Sequence, residues 1–265
     1  MTMLAYTLSD SRVMLRRNLK HQLRYPSLTV MLIAMPIVIL LLFVYVFGGQ
    51  LGAGLGAHEG RHAYLDYVLP GVLLITVGSA VQGTAIMVAS DMTGGIIDRF
   101  RTMAIARGSV LTGHVVGSLI QTLLAVGVLV GVAFGLGFHS SGGLLDWLAA
   151  VGILLLFAFA LIWFAVALGL AAKSVETASN TPMFIVFLPL LGSGFVPIHT
   201  LPVVLRQFAE YQPSTPVADA VRGLISGGAV GGHAIVAIAW SIGIAVLSYL
   251  WAIRLYNRRR AAEPK

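Results

Sequence analysis

The sequence predicts an all-α integral membrane protein of six transmembrane helices, with an N-terminal amphipathic interfacial helix and short extracytoplasmic re-entrant helices before the last span. Hydrophobic residues make up 58% of the 265-residue chain and charged residues only 10%, whereas soluble domains carry roughly 25% charged residues. The charges are also clustered, leaving charge-free windows at 25–57, 67–90, 108–145, 147–172, 177–205 and 223–253. Each window can hold one apolar span of about 20 residues. Finally, Lys and Arg are distributed unevenly between the loops that these spans create, as membrane topology requires.

The first element is an amphipathic helix over residues 4–24. Leu8, Leu15, Leu19 and Leu23 recur at near-helical spacing against Arg12, Arg16, Arg17, Lys20 and Arg24, a pattern suited to the cytoplasmic interface. Two roles stay open for it: a topology anchor drawn to anionic lipid, or a surface on which a partner docks. Tyr25-Pro26 should end the helix, because the residue before proline is pushed out of the helical region. No cleavable-signal pattern precedes the first apolar run, so this segment is expected to remain in the mature chain.

Spans are expected near 28–47, 68–89, 111–136, 147–171, 178–195 and 234–254. Between the second and third lies a cytoplasmic connection, residues 91–107. Asp91 or Thr93 can cap a short helix there, with Ile96, Ile97, Phe100 and Met103 on one face and Asp98, Arg99 and Arg101 elsewhere. That pattern suits a helix gripped by a soluble partner; an ordinary interfacial turn is the plainer alternative. In the third span Gly127, Gly131 and Gly135 place small residues on one helix face, which assigns no interface in a chain with 30 glycines.

Residues 196–226 precede the last span. From the fifth span through these residues, Pro182, Pro189, Pro197, Pro202, Pro213 and Pro216 punctuate the chain and Gly192-Ser193-Gly194 softens it, so a straight rod is not expected. Two short extracytoplasmic helices are expected at 201–211 and 215–225, dipping partly back into the bilayer. Irregular backbone at that depth must be buried in protein or line a cavity.

Orientation follows from the basic residues. One face would carry Arg12, Arg16, Arg17, Lys20, Arg24, Arg99, Arg101, Arg107, Lys173, Arg254, Arg258, Arg259, Arg260 and Lys265, and the other only Arg61, Arg206 and Arg222. The acids divide evenly. The richer face is cytoplasmic by the positive-inside rule, and an even number of spans puts both termini there. The net charge of +7 is accounted for by this rule, and no nucleic-acid partner is expected.

The residues also limit the chemistry. There is no cysteine, which excludes disulfides and thiolate sites. No Asp, Glu, Lys or Arg falls near the middle of a span, which argues against ion coupling and suits a hydrophobic or amphiphilic passenger. His58-Glu59-Gly60-Arg61-His62 matches the H-E-x-x-H zinc-peptidase pattern. It follows Gly48, Gly49, Gly52, Gly54 and Gly56 in an expected loop and lacks an evident third ligand, so no metal site is assigned. A membrane zinc peptidase using His58, Glu59 and His62 is the rival reading from the enzyme class. Gly192-Ser193-Gly194 does not complete the G-x-S-G pattern of intramembrane serine proteases, since residue 191 is Leu; His233 is the only candidate base near the last span. No Walker A loop exists, so any ATP and magnesium would be held by another polypeptide. No cofactor is expected on this chain.

Taken in order, these segments resemble the type-2 ABC exporter permeases, specifically the daunorubicin-resistance branch. Asp91-Met92-Thr93-Gly94-Gly95-Ile96-Ile97-Asp98-Arg99-Phe100-Arg101 is similar to that branch's cytoplasmic segment, as is Met103-Ala104-Ile105-Ala106-Arg107-Gly108, although Ala104 stands where proline is common. Gln212-Pro213-Ser214-Thr215-Pro216 through Arg222-Gly223 is similar to its region before the last span. The resemblance implies that residues 1–265 are one transmembrane domain. It implies coupling to an ATPase subunit through Thr93, Asp98, Arg99, Phe100 and Arg101, with 4–24 as the connecting helix. It also implies a second permease protomer, a plasma-membrane location and export of a hydrophobic drug-like, antibiotic or lipid-like substrate, without a catalytic residue on this chain. A non-transport membrane anchor or immunity protein is the remaining alternative.

Overall fold

Helix-length apolar segments dominate the computed structural model, which describes residues 12–20, 26–54, 60–95 and 107–261. Residues 12–20 form α1. The first span begins as α2 (Pro26–Leu42), passes through a π-helical turn at Phe43–Phe47 and ends as α3 (Gly48–Gly54). Helices α4 (Arg61–Thr93), α5 (Arg107–Gly135) and α6 (Leu144–Ala171) follow. After them come α7 (Val175–Asn180), α8 (Met183–Phe187) and a 3-10 turn at Leu188–Leu191. Two short helices, α9 (Val203–Tyr211) and α10 (Ser214–Ile225), lead to α11 (His233–Ala261).

Five helices are long and apolar enough to cross a bilayer: Thr29–Gln50, Arg61–Thr93, Val110–Gly135, Leu144–Ala171 and His233–Asn257. They coincide with five of the six expected spans because span length is set by bilayer thickness. The other expected span, 178–195, is interrupted. Its apolar part, Val175–Leu191, is shorter than these five and broken where Pro182 and Pro189 remove main-chain donors. Ser174 caps its start, accepting the Thr177 N–H at 3.3 Å.

The centre is α4, with most side chains from Tyr64 to Ala89 buried; α2, α5, α6, α7, α8 and α10 all touch it. Helix α6 is the second buried element and packs on both α4 and α11. Small residues set these approaches. A Cβ on Gly169 of α6 would fall 2.8 Å from both the Ala85 carbonyl and Val88 Cβ of α4. At the periphery, α2 and α11 leave Val30, Met35, Val38, Ile235, Leu247 and Leu250 exposed, as lipid-facing helices do.

Two expectations are corrected. The glycine-rich stretch after the first span is helical through Gly54 where a loop was expected, because Gly48 and Gly52 pack against Arg61 and Gly60 at the start of α4. Tertiary contact there outweighs glycine's poor helix propensity. On α1 the buried face is Met14 and Asn18, with Leu15 and Leu19 only half-buried. Met14 and Asn18 lie where Cβ atoms on Gly113 and Gly117 of α5 would fall, at 2.7 Å in each case. The Asn18 amide donates to the Gly113 carbonyl at 3.2 Å. The helix is therefore packed against the bundle through a seam that hydrophobic periodicity does not reveal.

The interrupted segment runs antiparallel to α4. Ser179 meets Gln82, Val186 meets Gly78, Gly194 meets Gly71 and the Phe195 carbonyl accepts from the Tyr64 hydroxyl at 3.2 Å. From Gln82 to Tyr64 this covers about 27 Å of α4 at 1.5 Å per residue.

Candidate functional site

A cavity of about 360 Å³ opens between α2, α4, α5 and α8. Helical spacing brings its walls together. Ile75, Ser79, Gln82, Gly83, Ile86 and Met87 follow one face of α4, while Met31, Leu32, Met35 and Ile39 follow one face of α2. Met183, Val186, Phe187 and Leu190 close the far side, and Thr29 and Gln121 enter from α2 and α5. Four of these residues are methionines, whose unbranched polarisable side chains adapt to differently shaped apolar guests.

The polar groups in this lining are few and uncharged. The Gln82 amide donates to the Ser179 carbonyl at 3.0 Å, the Gln121 amide to Thr29 Oγ1 at 2.8 Å, and Ser79 Oγ to the Ile75 carbonyl at 3.0 Å. Gln82 and Gln121 each retain a second amide N–H and a carbonyl oxygen, so these amides can both donate and accept. Among the described residues no Asp, Glu, Lys, Arg or His lines the cavity.

Toward the last turn of α4, three helices meet at one carboxylate. Arg17 of α1 donates to both oxygens of Asp91 at 2.9 Å each, and His114 Nε2 of α5 lies 3.2 Å from Asp91 Oδ2. The three side chains are 35%, 14% and 6% exposed. Bidentate arginine–carboxylate pairing is both strong and geometrically specific. The joint ties α1, the end of α4 and the start of α5 together on either side of residues 96–106.

The expected coupling residues divide. Thr93 is the last residue of α4, exposed, and its hydroxyl turns back to the Ala89 carbonyl at 3.0 Å. Asp98, Arg99, Phe100 and Arg101 lie outside the described residues. Of the interfacial basic residues, Arg12, Arg16 and Lys20 are exposed, Arg17 turns inward to Asp91, and Arg24 lies outside the described residues. In the H-E-x-x-H pattern, His58 and Glu59 lie outside them, while His62 is exposed in the first turn of α4. Among the described residues no group of three His, Asp or Glu side chains could hold a metal. Ser193 is buried with its hydroxyl directed at the Thr215 carbonyl, 3.4 Å away, while His233 is exposed at the start of α11.

The cavity and the Asp91 joint were not anticipated from sequence. The signal for the cavity was present in Gln82 and Gln121, amides placed within apolar spans. The joint had none beyond Asp91 itself, because Arg17 looked like one more interfacial cation and His114 is a single histidine in an otherwise apolar span.

Comparison with known proteins bears on this arrangement. The model of the ABC-2 type transporter family matches residues 10–225. The daunorubicin resistance ABC transporter permease protein DrrB1 of Streptomyces coeruleorubidus is 28% identical over 239 residues, 89% of this chain and 82% of that protein. The probable doxorubicin resistance ABC transporter permease protein DrrC of Mycobacterium tuberculosis is 25% identical over 179 residues, 66% of this chain and 65% of that protein. ABC transporter G family member 20 of Dictyostelium discoideum is 27% identical over 194 residues, 71% of this chain but 25% of that much longer protein.

Proposed function

Since the chain belongs to the ABC-2 type transporter family, we propose that it is the permease subunit of an ATP-driven exporter for a hydrophobic drug-like, antibiotic or lipid-like passenger. The cavity carries this reading. Its lining is apolar and rich in methionine, the described lining residues carry no charge, and its few polar groups are the amides and hydroxyls of Gln82, Gln121, Thr29 and Ser79. Such a site favours an amphiphile with a few hydrogen-bonding groups over an ion. The permease relatives named for daunorubicin and doxorubicin resistance support the same class.

The interrupted segment is the remaining membrane crossing in this reading. It accompanies α4 for about 27 Å, close to the thickness of the hydrocarbon core, and its broken backbone lines the cavity as irregular membrane backbone must. Six crossings place both termini on the side rich in Lys and Arg, the cytoplasm. Helices α9 and α10 then belong to the opposite face.

ATP binding and hydrolysis, with magnesium, occur on a separate ATPase subunit in this proposal, and this chain binds no cofactor of its own. The 91–107 segment docks on that subunit through Thr93, Asp98, Arg99, Phe100 and Arg101. Closure of the ATPase displaces the docked segment, and the Asp91 joint carries the displacement into α1, α4 and α5 together. ATP does work on the permease to the extent that it favours one of the two arrangements. A second permease protomer, identical or homologous, completes the pathway.

The test is purification of the tagged chain from its host in mild detergent, beside a variant carrying Asp98→Ala, Arg99→Ala and Phe100→Ala. A Walker-motif ATPase should accompany the unmodified chain and be lost from the triple variant. A well-folded chain that brings down no ATPase would sink the proposal.

A further inference from the structure

The one irregular wall of the cavity is held at its outer end. Met183, Val186, Phe187 and Leu190 form that wall, and the chain leaves it through Gly192-Ser193-Gly194. A span interrupted there frees main-chain carbonyls, which need donors inside the protein. Arg222 of α10 supplies them. Its Nη2 donates to the Ser193 carbonyl at 2.6 Å and its Nε to the Tyr67 carbonyl of α4 at 3.2 Å, while Nη1 pairs with Asp219 at 2.5 Å. The guanidinium lies over the Tyr67 ring, 4.1 Å from its centroid, and the Tyr67 hydroxyl donates to the same Ser193 carbonyl at 3.0 Å.

Unused hydrogen-bonding groups stand across the same turn. Gln212 Nε2 and Thr215 Oγ1 are buried without a partner among the described residues, and both lie where a Cβ on Gly192 would fall. Leaving buried polar groups unpartnered is unfavourable, so a second position of the turn that engaged them would recover part of what it lost on leaving Arg222. Close packing holds the turn in its present place, since a Cβ on Gly71 of α4 would collide with the Gly194 carbonyl.

We propose that Arg222 is the positioning residue of the cavity's outer wall: with Tyr67 it holds the Ser193 carbonyl and keeps the cavity closed at this end, and transfer of the turn toward Gln212 and Thr215 opens it. The inference rests on the permease reading for its purpose, but its geometry stands on these contacts alone. Arginine suits the position because one planar fork addresses two carbonyls and a carboxylate, which a lysine ammonium cannot do in the same geometry.

The absence of native cysteine makes a direct test possible. A single Leu190→Cys substitution is introduced in the full transporter in membrane vesicles, and a membrane-impermeant thiol reagent is applied from each face. Losing one charged hydrogen bond should raise the open population and speed labelling from the α9–α10 face roughly ten-fold in Arg222→Gln. Tyr67→Phe, which removes the other donor to the Ser193 carbonyl, should fall between Arg222→Gln and the unmodified transporter, and Arg222→Lys should restore part of the closure. Arg206→Gln, at an exposed pair with Glu210, should leave the rate as it was. Equal labelling in Arg222→Gln and its parent would overturn the proposal. If Arg222→Gln does not fold, as judged by size exclusion, an unchanged rate in Tyr67→Phe overturns it equally. Labelling requires neither ATP nor passenger, so its failure is separate from absence of an ATPase partner, which would refute the permease reading.

Discussion

Replacing Asp91 by alanine tests the joint between α1, α4 and α5. The carboxylate accepts two bonds of 2.9 Å from Arg17 and faces His114 Nε2 at 3.2 Å. Removing one member of a fully buried ion pair costs about 3–5 kcal/mol, whereas an exposed pair contributes about 0–1 kcal/mol. Arg17 is 35% exposed and can turn toward water once released, so its share falls near the lower range. His114 cannot do so, being 6% exposed with Nδ1 already unpartnered among the described residues. Loss of its remaining contact adds about 1 kcal/mol. The expected destabilisation by Asp91→Ala is therefore about 2 kcal/mol, and by Arg17→Ala about 1 kcal/mol. The two should not add, because either change removes the same bonds. Equilibrium unfolding of the four chains of the double-mutant cycle in mixed micelles measures the coupling, expected at about 1 kcal/mol. Additivity to within about 0.3 kcal/mol would refute the pairing.

Gly71→Ala should displace the Gly192–Gly194 turn and destabilise the chain by about 2 kcal/mol or more, since the new Cβ falls on the Gly194 main chain. Gly127→Ala, on an open face of α5, should leave stability unchanged or slightly raised; thermal unfolding in detergent distinguishes the two, and equal effects would contradict the packing described. Gly83 lines the cavity with open space around it, so Gly83→Leu should fold normally while filling part of the volume. Transport or passenger-stimulated ATPase assays should then show bulky passengers losing roughly ten-fold in apparent affinity and small ones losing little. A uniform loss across passengers of different size would argue that the cavity does not receive them.

Much of this protein could be read locally. Whether a segment enters a bilayer depends on its own length and polarity, because each main-chain and charged group must be satisfied within or near that segment. Five spans, the short helices around Val203–Tyr211 and Ser214–Ile225, and the break expected from Pro182, Pro189 and Gly192 were legible for that reason. The family resemblance rested on runs of contiguous residues and was likewise accessible. Residues 10–225 match the family it pointed to.

Tertiary structure decided which polar residues meet. Arg17, Asp91 and His114 belong to three helices, and each alone has an ordinary local explanation; they become a joint only because Gly113 and Gly117 let α1 approach α5. Likewise, Arg222 looked like a stray cation on the poorly charged face, and Gly192-Ser193-Gly194 like a soft turn. Packing of the interrupted segment along α4 brings the guanidinium onto the Ser193 carbonyl. The glycine-rich end of the first span became helical through its contact with α4. Sequence thus determined which segments leave water, since that transfer free energy belongs to each segment separately. Helix-to-helix contact determined the cavity and its two polar joints, since those energies depend on groups distant in the chain arriving within hydrogen-bond reach.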